Sequence, residues 1–361
     1  MRGAPTGAGH NPRRGGATGA ENARRTGGAV GAEDVAAQAG VSPSTVSRCF
    51  ASPHQVRPET RARVLAAAER LGYRPSRIAR SLALGRTGTL GLIVPDIANP
   101  FFAVIAKAVQ ARARRRDYAV FLADTDEHPD DEYELALTLA RQVDGLLLVA
   151  PRMDGDRLGE IVRQVPSVAV NRSVPGVPSV VAPSEDGLRQ AVAHLHALGH
   201  RHLALVLGAR NSWSSERRGH AVRRAAEQLA VKVTEFGPHE PKFHTGAQVA
   251  DLALATGATA IVAHNDLMAL GILARLAERG VRVPDDVSVV GADDTLLATT
   301  ASPALTSVRI PLDTLGERAV ELMLHLLDHP ESPPRETVLT SELIVRRSTG
   351  PAPAPAPRKE A

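Results

Sequence analysis

The hydrophobic pattern changes period at Thr89, and that change limits the fold more than any other feature of the chain. Beyond it, short apolar runs without polar alternation recur: TLGLIVPD from Thr89, YAVFLADT from Tyr118, DGLLLVAP from Asp144, SVAVNR from Ser167, HLALVLG from His202, AIVAHND from Ala260 and VSVVGADD from Val287. Between them lie stretches with helical spacing, such as AVIAKAVQARARRR and DGLRQAVAHLHALG. Runs of this kind suit parallel strands covered on both faces and joined by crossover helices. The expectation is a doubly wound α/β body, long enough for two similar lobes.

Upstream of Thr89 the spacing is helical only. EDVAAQAGVSPSTVSR, Glu33 to Arg48, places Val35, Ala36 and Ala39 on one helix face. Gly40 stops that helix, since glycine takes the left-handed conformation a sharp turn needs. Ser42 can then cap a second helix, with Pro43 suited to its first position. Val46 turns inward and leaves Ser44, Thr45, Ser47 and Arg48 outside, a helix-turn-helix. After a loop, FASPHQVRPE, a third helix through ETRARVLAAAERLG carries Val64, Leu65, Ala68 and Leu71 at core spacing, with Gly72 as its stop. YRPSRIARSLALGRTG follows. It begins like a helix, yet Ile78, Ala79 and Leu82 have little to bury among Arg74, Arg77, Arg80 and Arg86. Such a segment can be disordered alone and ordered on an anionic surface.

Charge separates the two parts. Residues 1–86 hold fourteen arginines against five acids, a net of +9; the whole chain carries +4, which leaves −5 for the remainder. A basic module on an acidic body points to a polyanion partner for the first part alone. The single cysteine, Cys49, excludes an internal disulfide framework and fits a reducing cytoplasm; its apolar position in the second helix gives it a packing role. No apolar run is long enough to span a membrane. The first 29 residues lack the apolar core of a secretion signal and read as a disordered Gly- and Arg-rich extension, and 350–361 as a disordered Pro-Ala tail.

Five pieces in a fixed order resemble the lactose-repressor (LacI/GalR) family of bacterial transcription factors: AGVSPSTVSR, LGYRPSRIARSL, PDIANPFF, VPDDVSVVGADD and SPALTSVR. The resemblance runs from about Val30 to Thr349. It implies a helix-turn-helix domain over 30–75, a hinge helix and linker over 76–87, and a two-lobed effector-binding and dimerisation domain over 88–349 with a type I periplasmic-binding-protein-like fold. It also implies a homodimer, or dimer of dimers, on a near-palindromic double-stranded DNA operator under small-molecule control. Pro43, Ser44 and Arg48 match positions facing base edges, and an arginine can bridge O6 and N7 of guanine. Thr45 and Ser47 are assigned to phosphates. Arg77 lies in the segment that resembles the hinge helix, and Leu82 matches the apolar wedge that kinks the operator in the minor groove.

In the body, the resemblance places a ligand between the lobes. Asn99, Phe101 and Phe102 open the helix after the first strand, where an aromatic can stack on a sugar. Asp124 ends the second strand, and Asn171 with Arg172 follow a later one. RNSWSSERRG matches a loop with effector-binding polar groups, leaving Arg210, Trp213 or Arg217 as the key contact. Asn265 and Asp266 open another helix, and Asp293 lies in the ADD turn. Acceptors such as Asp124, Asp266 and Asp293 suit paired hydroxyls, so a carbohydrate effector is expected, with a nucleoside or purine second. Two departures stand out: Gly31 and Ala32 occupy the region of the usual threonine cap, and Ala51 replaces a frequent asparagine.

Two other functional classes fit parts of the sequence. A solute-binding protein would share the body but not the helix-turn-helix, and an α/β enzyme would need a catalytic constellation that is missing. The histidines of HLHALGHRH are split by Gly199, with no carboxylate or cysteine near them in sequence. No Gly-rich phosphate loop or nucleophile elbow is present. No catalysis, metal or cofactor is expected.

Overall fold

In a computed structural model, residues 30–51, 55–73 and 86–354 are described. They fall into two compact units, the first made of the N-terminal helices.

That unit contains α1 (Ala32–Ala39), α2 (Pro43–Ala51) and α3 (Pro58–Leu71). Gly40 sits at φ 66°, the left-handed conformation its position demands. Ser42 Oγ accepts from the Thr45 amide at 3.3 Å and so caps α2. Gly31 has no side chain to cap α1. Instead the Asp34 carboxylate reaches back to the Gly31 amide at 2.9 Å, the reciprocal half of a capping box. Val35, Ala36, Ala39, Val46, Cys49, Val64, Ala67 and Ala68 form the core. Burial pushes the Cys49 thiol up, in keeping with packing rather than reactivity. Leu65 departs from expectation: it is 39% exposed, because Val64, Ala67 and Ala68 already fill the inward stripe.

The second unit is a pair of six-stranded sheets. The first lobe contains β1 (Thr89–Val94), β2 (Ala119–Asp124), β3 (Gly145–Val149), β4 (Ser167–Val170), β5 (Ser179–Val181) and β11 (Glu336–Val338), in the order β11-β5-β4-β3-β1-β2. The second contains β6 (His202–Val206), β7 (Lys232–Phe236), β8 (Ala260–Ala263), β9 (Ser288–Asp293), β10 (Thr306–Arg309) and β12 (Glu342–Ile344), in the order β12-β10-β9-β8-β6-β7. The two orders are the same doubly wound pattern, and only the β10–β12 pair is antiparallel. Helices α4 (Pro100–Arg114), α5 (Pro129–Ala140), α6 (Gly155–Gln164) and α12 (Leu312–Asp328) cover the first sheet. The second is covered by α7 (Glu185–Ala197), α8 (Trp213–Gln228), α9 (Phe243–Ala255), α10 (Asp266–Glu278) and the short α11 (Leu296–Thr300). Since α12 and β11 belong to the first lobe while β10 and β12 belong to the second, the chain crosses between lobes three times.

Helices α9 and α10 pack closely enough that a Cβ on Gly271 would lie 1.9 Å from the Phe243 carbonyl oxygen, so only glycine fits there. All seven anticipated strands form. The expectation of cover on both faces fails at β2, an edge strand whose Phe121 and Leu122 are 48% and 41% exposed. The proposed tail also begins too early. Gly350 is buried, its carbonyl oxygen lies 3.1 Å from His200 Nε2, and the Ala352 amide donates to Leu198 O at 2.8 Å.

Candidate functional site

The carboxyl ends of both sheets face one crevice, where ligands bind in doubly wound folds. Its first-lobe wall consists of Asn99, Phe101, Phe102, Glu127, Ala150, Arg152 and Asn171, which follow β1, β2, β3 and β4. The second lobe contributes Ser214, Arg218, Pro241, His264, Asn265 and Asp293.

Local structure fixes these side chains. Asn99 caps α4 by accepting from the Phe101 amide at 3.1 Å, which leaves its amide nitrogen for the crevice. Phe101 and Phe102 meet edge to face, 5.0 Å between centroids, and are almost wholly buried. Asn265 caps α10 through the Met268 amide at 2.9 Å. Ala150, Asn171 and Asp293 hold positive φ (43°, 57° and 112°), a conformation that costs energy in non-glycine residues and gathers here at the crevice.

Each lobe adds one buried ion pair. In the first, Arg152 donates to Glu127 through Nε (2.5 Å) and Nη2 (3.0 Å), and to Ala150 O through Nη1 at 2.8 Å. Buried Glu132 holds this loop by accepting from the amides of Arg152 and Met153, each at 2.7 Å. In the second, Arg218 donates to Asp293 at 2.7 Å, His264 O at 2.5 Å and Ser184 Oγ at 3.2 Å. Burial pushes Asp293 up to about 6 against the opposing pull of Arg218. His264 is driven well below the ordinary histidine value, first by burial and then by Arg218 and Arg152, and is neutral. At the mouth, Lys242 Nζ of the second lobe lies 3.6 Å from Asp126 of the first.

Of the candidates, Phe101, Phe102, Asn265 and Asp293 meet in this crevice, together with Asn99 and Asn171. The others stand outside its lining. Asp124 accepts from the amides of Ile97 and Asp126 and shapes the loops. Arg172 donates to Pro151 O (2.7 Å) and Met153 O (2.8 Å), so it braces the wall from behind. Arg210 is exposed, and Arg217 stacks 4.7 Å over Trp213 while pairing with Glu185. The lining arginine is the next residue, Arg218. Asp266 is sealed below the surface, accepting from Thr295 N at 2.8 Å and Ser307 Oγ at 2.5 Å, and is pushed up to about 7 by burial and the charge of Asp293. Glu127, Arg152, Ser214, Arg218, Pro241 and His264 escaped sequence reasoning, although all follow the carboxyl ends of strands.

The histidine-rich stretch serves packing. His194 meets Thr349 Oγ1 at 3.0 Å, His200 meets Thr259 Oγ1 at 2.8 Å and His202 meets Thr234 Oγ1 at 2.9 Å. Among the described residues, no group of three potential metal ligands converges, and no helix is long and apolar enough to cross a membrane.

In the first unit, α2 buries Val46 and Cys49 and presents Pro43, Ser44 and Arg48 to solvent, with Thr45 and Ser47 half-buried. Arg48 Nε donates weakly to Ser44 O at 3.4 Å, which lays the guanidinium along its own helix. Arg77 and Leu82 lie outside the described residues.

The family model for bacterial regulatory proteins, lacI family, matches residues 33–76, and the one for a periplasmic binding protein-like domain matches 192–349. Catabolite control protein A of Priestia megaterium is 31% identical over 324 residues, covering 87% of this chain and 98% of the relative. The crystal structure of the lac repressor dimer bound to operator and the anti-inducer ONPF superposes with a TM-score of 0.79 at 29% identity, over 89% of this chain and 99% of that one. The transcriptional regulator CelR in complex with cellobiose gives a TM-score of 0.67 at 32% identity, over 88% and 99%.

Proposed function

This chain belongs to the lacI family of bacterial regulatory proteins and is a DNA-binding transcriptional regulator, and we propose on that premise that it is an effector-controlled repressor acting as a homodimer on a near-palindromic operator. The observation that carries the reading is α2, a capped helix that turns Pro43, Ser44 and Arg48 outward together from a core of Val46 and Cys49. Arg48 and Ser44 read base edges, while Thr45 and Ser47 hold phosphates. Residues 30–75 form the DNA-binding module. Residues 76–87 connect it to the effector domain, and Arg77 and Leu82 act within that connection in the minor groove.

The effector is a carbohydrate held in the crevice. Phe101 and Phe102 offer an aromatic wall, and Asn99, Asn171, Asn265 and Asp293 offer the mixed donors and acceptors that hydroxyls need. That the CelR structure contains cellobiose supports the same class. Closure of the lobes on the ligand couples to operator affinity, so each ligand shifts binding of the other by one shared free energy. The exposed Phe121 and Leu122 on edge strand β2 supply an apolar face for the partner protomer. The protein acts in the cytoplasm and carries out no catalysis.

The test is selection of genomic fragments by the purified protein at low and moderate salt. A shared near-palindrome retained at moderate salt is expected. Binding that shares no motif and vanishes with salt would reduce the DNA contact to phosphates and leave a solute-binding protein.

A further inference from the structure

Five ionisable groups line the crevice: Glu127, Arg152, Arg218, His264 and Asp293. Both guanidiniums are paired within their own lobe. All three guanidinium nitrogens of Arg152 are engaged, two by Glu127 and one by Ala150 O. All three of Arg218 are engaged as well, by Ser184, His264 O and Asp293. His264, buried and placed where Arg218 and Arg152 also disfavour its protonation, adds no charge.

We infer that the effector is an uncharged polyhydroxy compound, and that Glu127, by occupying Arg152, is the specificity residue that keeps phosphorylated and carboxylated sugars out. The inference rests on the carbohydrate reading given above and deepens it. An anion entering the crevice would meet two carboxylates and no unpaired cation. It would then lose its hydration without compensation or break a buried pair, and both are costly. Hydroxyls meet a different surface. Asn171, 4% exposed, makes no side-chain hydrogen bond among the described residues; Asn99 keeps its amide nitrogen, and Asp293 presents Oδ2 while Arg218 takes Oδ1. Amides both donate and accept, as a hydroxyl does. The Glu127–Arg152 pair is nearly dry, with side chains 14% and 5% exposed, so it is not screened like a surface bridge.

The test uses the full chain with glucose, cellobiose, glucose 6-phosphate and glucuronate. Binding is read by thermal unfolding and by the fluorescence of Trp213, the only tryptophan, next to the lining residue Ser214. A response to a neutral sugar with none to the two anions is expected. Glu127→Gln keeps the shape and frees a guanidinium, so it should raise the affinity for glucose 6-phosphate about tenfold or more, the worth of a charge-assisted hydrogen bond. That gain should disappear in E127Q/R152M. Wild-type preference for either anion would overturn the inference and leave the carbohydrate reading standing. Failure of all four probes would sink both. E127Q that still binds operator but rejects the phosphate would remove Glu127 from this role, and the wild-type panel decides the charge of the effector even if E127Q does not fold.

Discussion

Arg218 and Asp293 meet at 2.7 Å in the second lobe, with side chains only 7% and 4% exposed. They come from the first half of α8 and the end of β9, so this contact ties a helix face to the carboxyl edge of the sheet. Removing one partner leaves the other charge buried alone. Arg218→Met should therefore cost about 3–5 kcal/mol of stability. Urea unfolding followed by circular dichroism measures it, and a loss under 1 kcal/mol would mean that water reaches Asp293 freely.

Asp266 gives a signed pH dependence. Its folded pKa of about 7 lies above the ordinary aspartate value of 3.8, so between these values the folded state holds a proton that the unfolded chain has released. Stability from this group accordingly falls as pH rises from about 4 to about 7. The lowered pKa values of His194, His200, His202 and His264 tilt the other way below their ordinary value of 6.5, so the difference between variant and wild type is the useful quantity. Asp266→Asn should gain steadily on wild type between about pH 4 and 7 and level off above that. A constant difference would show that Asp266 ionises normally.

The recognition helix separates two kinds of contact. Arg48→Met should lose about 1–3 kcal/mol of discrimination at one base position of each half-site. Thr45→Val should instead weaken operator and non-operator DNA alike and leave their ratio nearly fixed. Competition titrations against scrambled DNA distinguish the two, and equal loss of discrimination in both variants would undo the assignment.

Leu82→Ala tests the segment before the α/β body. Specific operator binding should weaken while the Trp213 response to effector is unchanged, because the wedge acts on base stacking alone. Unaltered specific binding by this variant would remove Leu82 from the minor groove.

Much of this fold was legible because parallel strands buried on both faces must be apolar throughout. β3, reading GLLLV, is buried at every position. The strands that escaped notice are short or lie at sheet edges. β5, β11 and β12 have three residues each and β10 has four, too few to show a period, and β7 lies at a sheet edge with none of its five residues buried. Part of the crevice lining lies at, or within a residue of, a position singled out in the sequence. Proximity to the end of a strand selects the right loop, whereas the direction of each side chain is set by the turn itself. Asn171 enters the crevice and Arg172 turns behind it. Arg217 and Arg218 differ by one step, about 100° around α8, and only the second faces inward. Glu127 and Arg152 carried no signal because their meaning lies in the pairing, twenty-five residues apart.

The Gly350 carbonyl has a practical side. It receives the buried His200 ring, and the Gly350 amide donates to Ser288 Oγ at 3.1 Å, so the last turn of visible pattern at Thr349 is one residue short of a structural plug. Affinity handles and reporter fusions belong beyond residue 354. Trimming the gene back to codon 349 would pull that stopper from the second lobe and leave the His200 ring held by Thr259 and Ser288 alone.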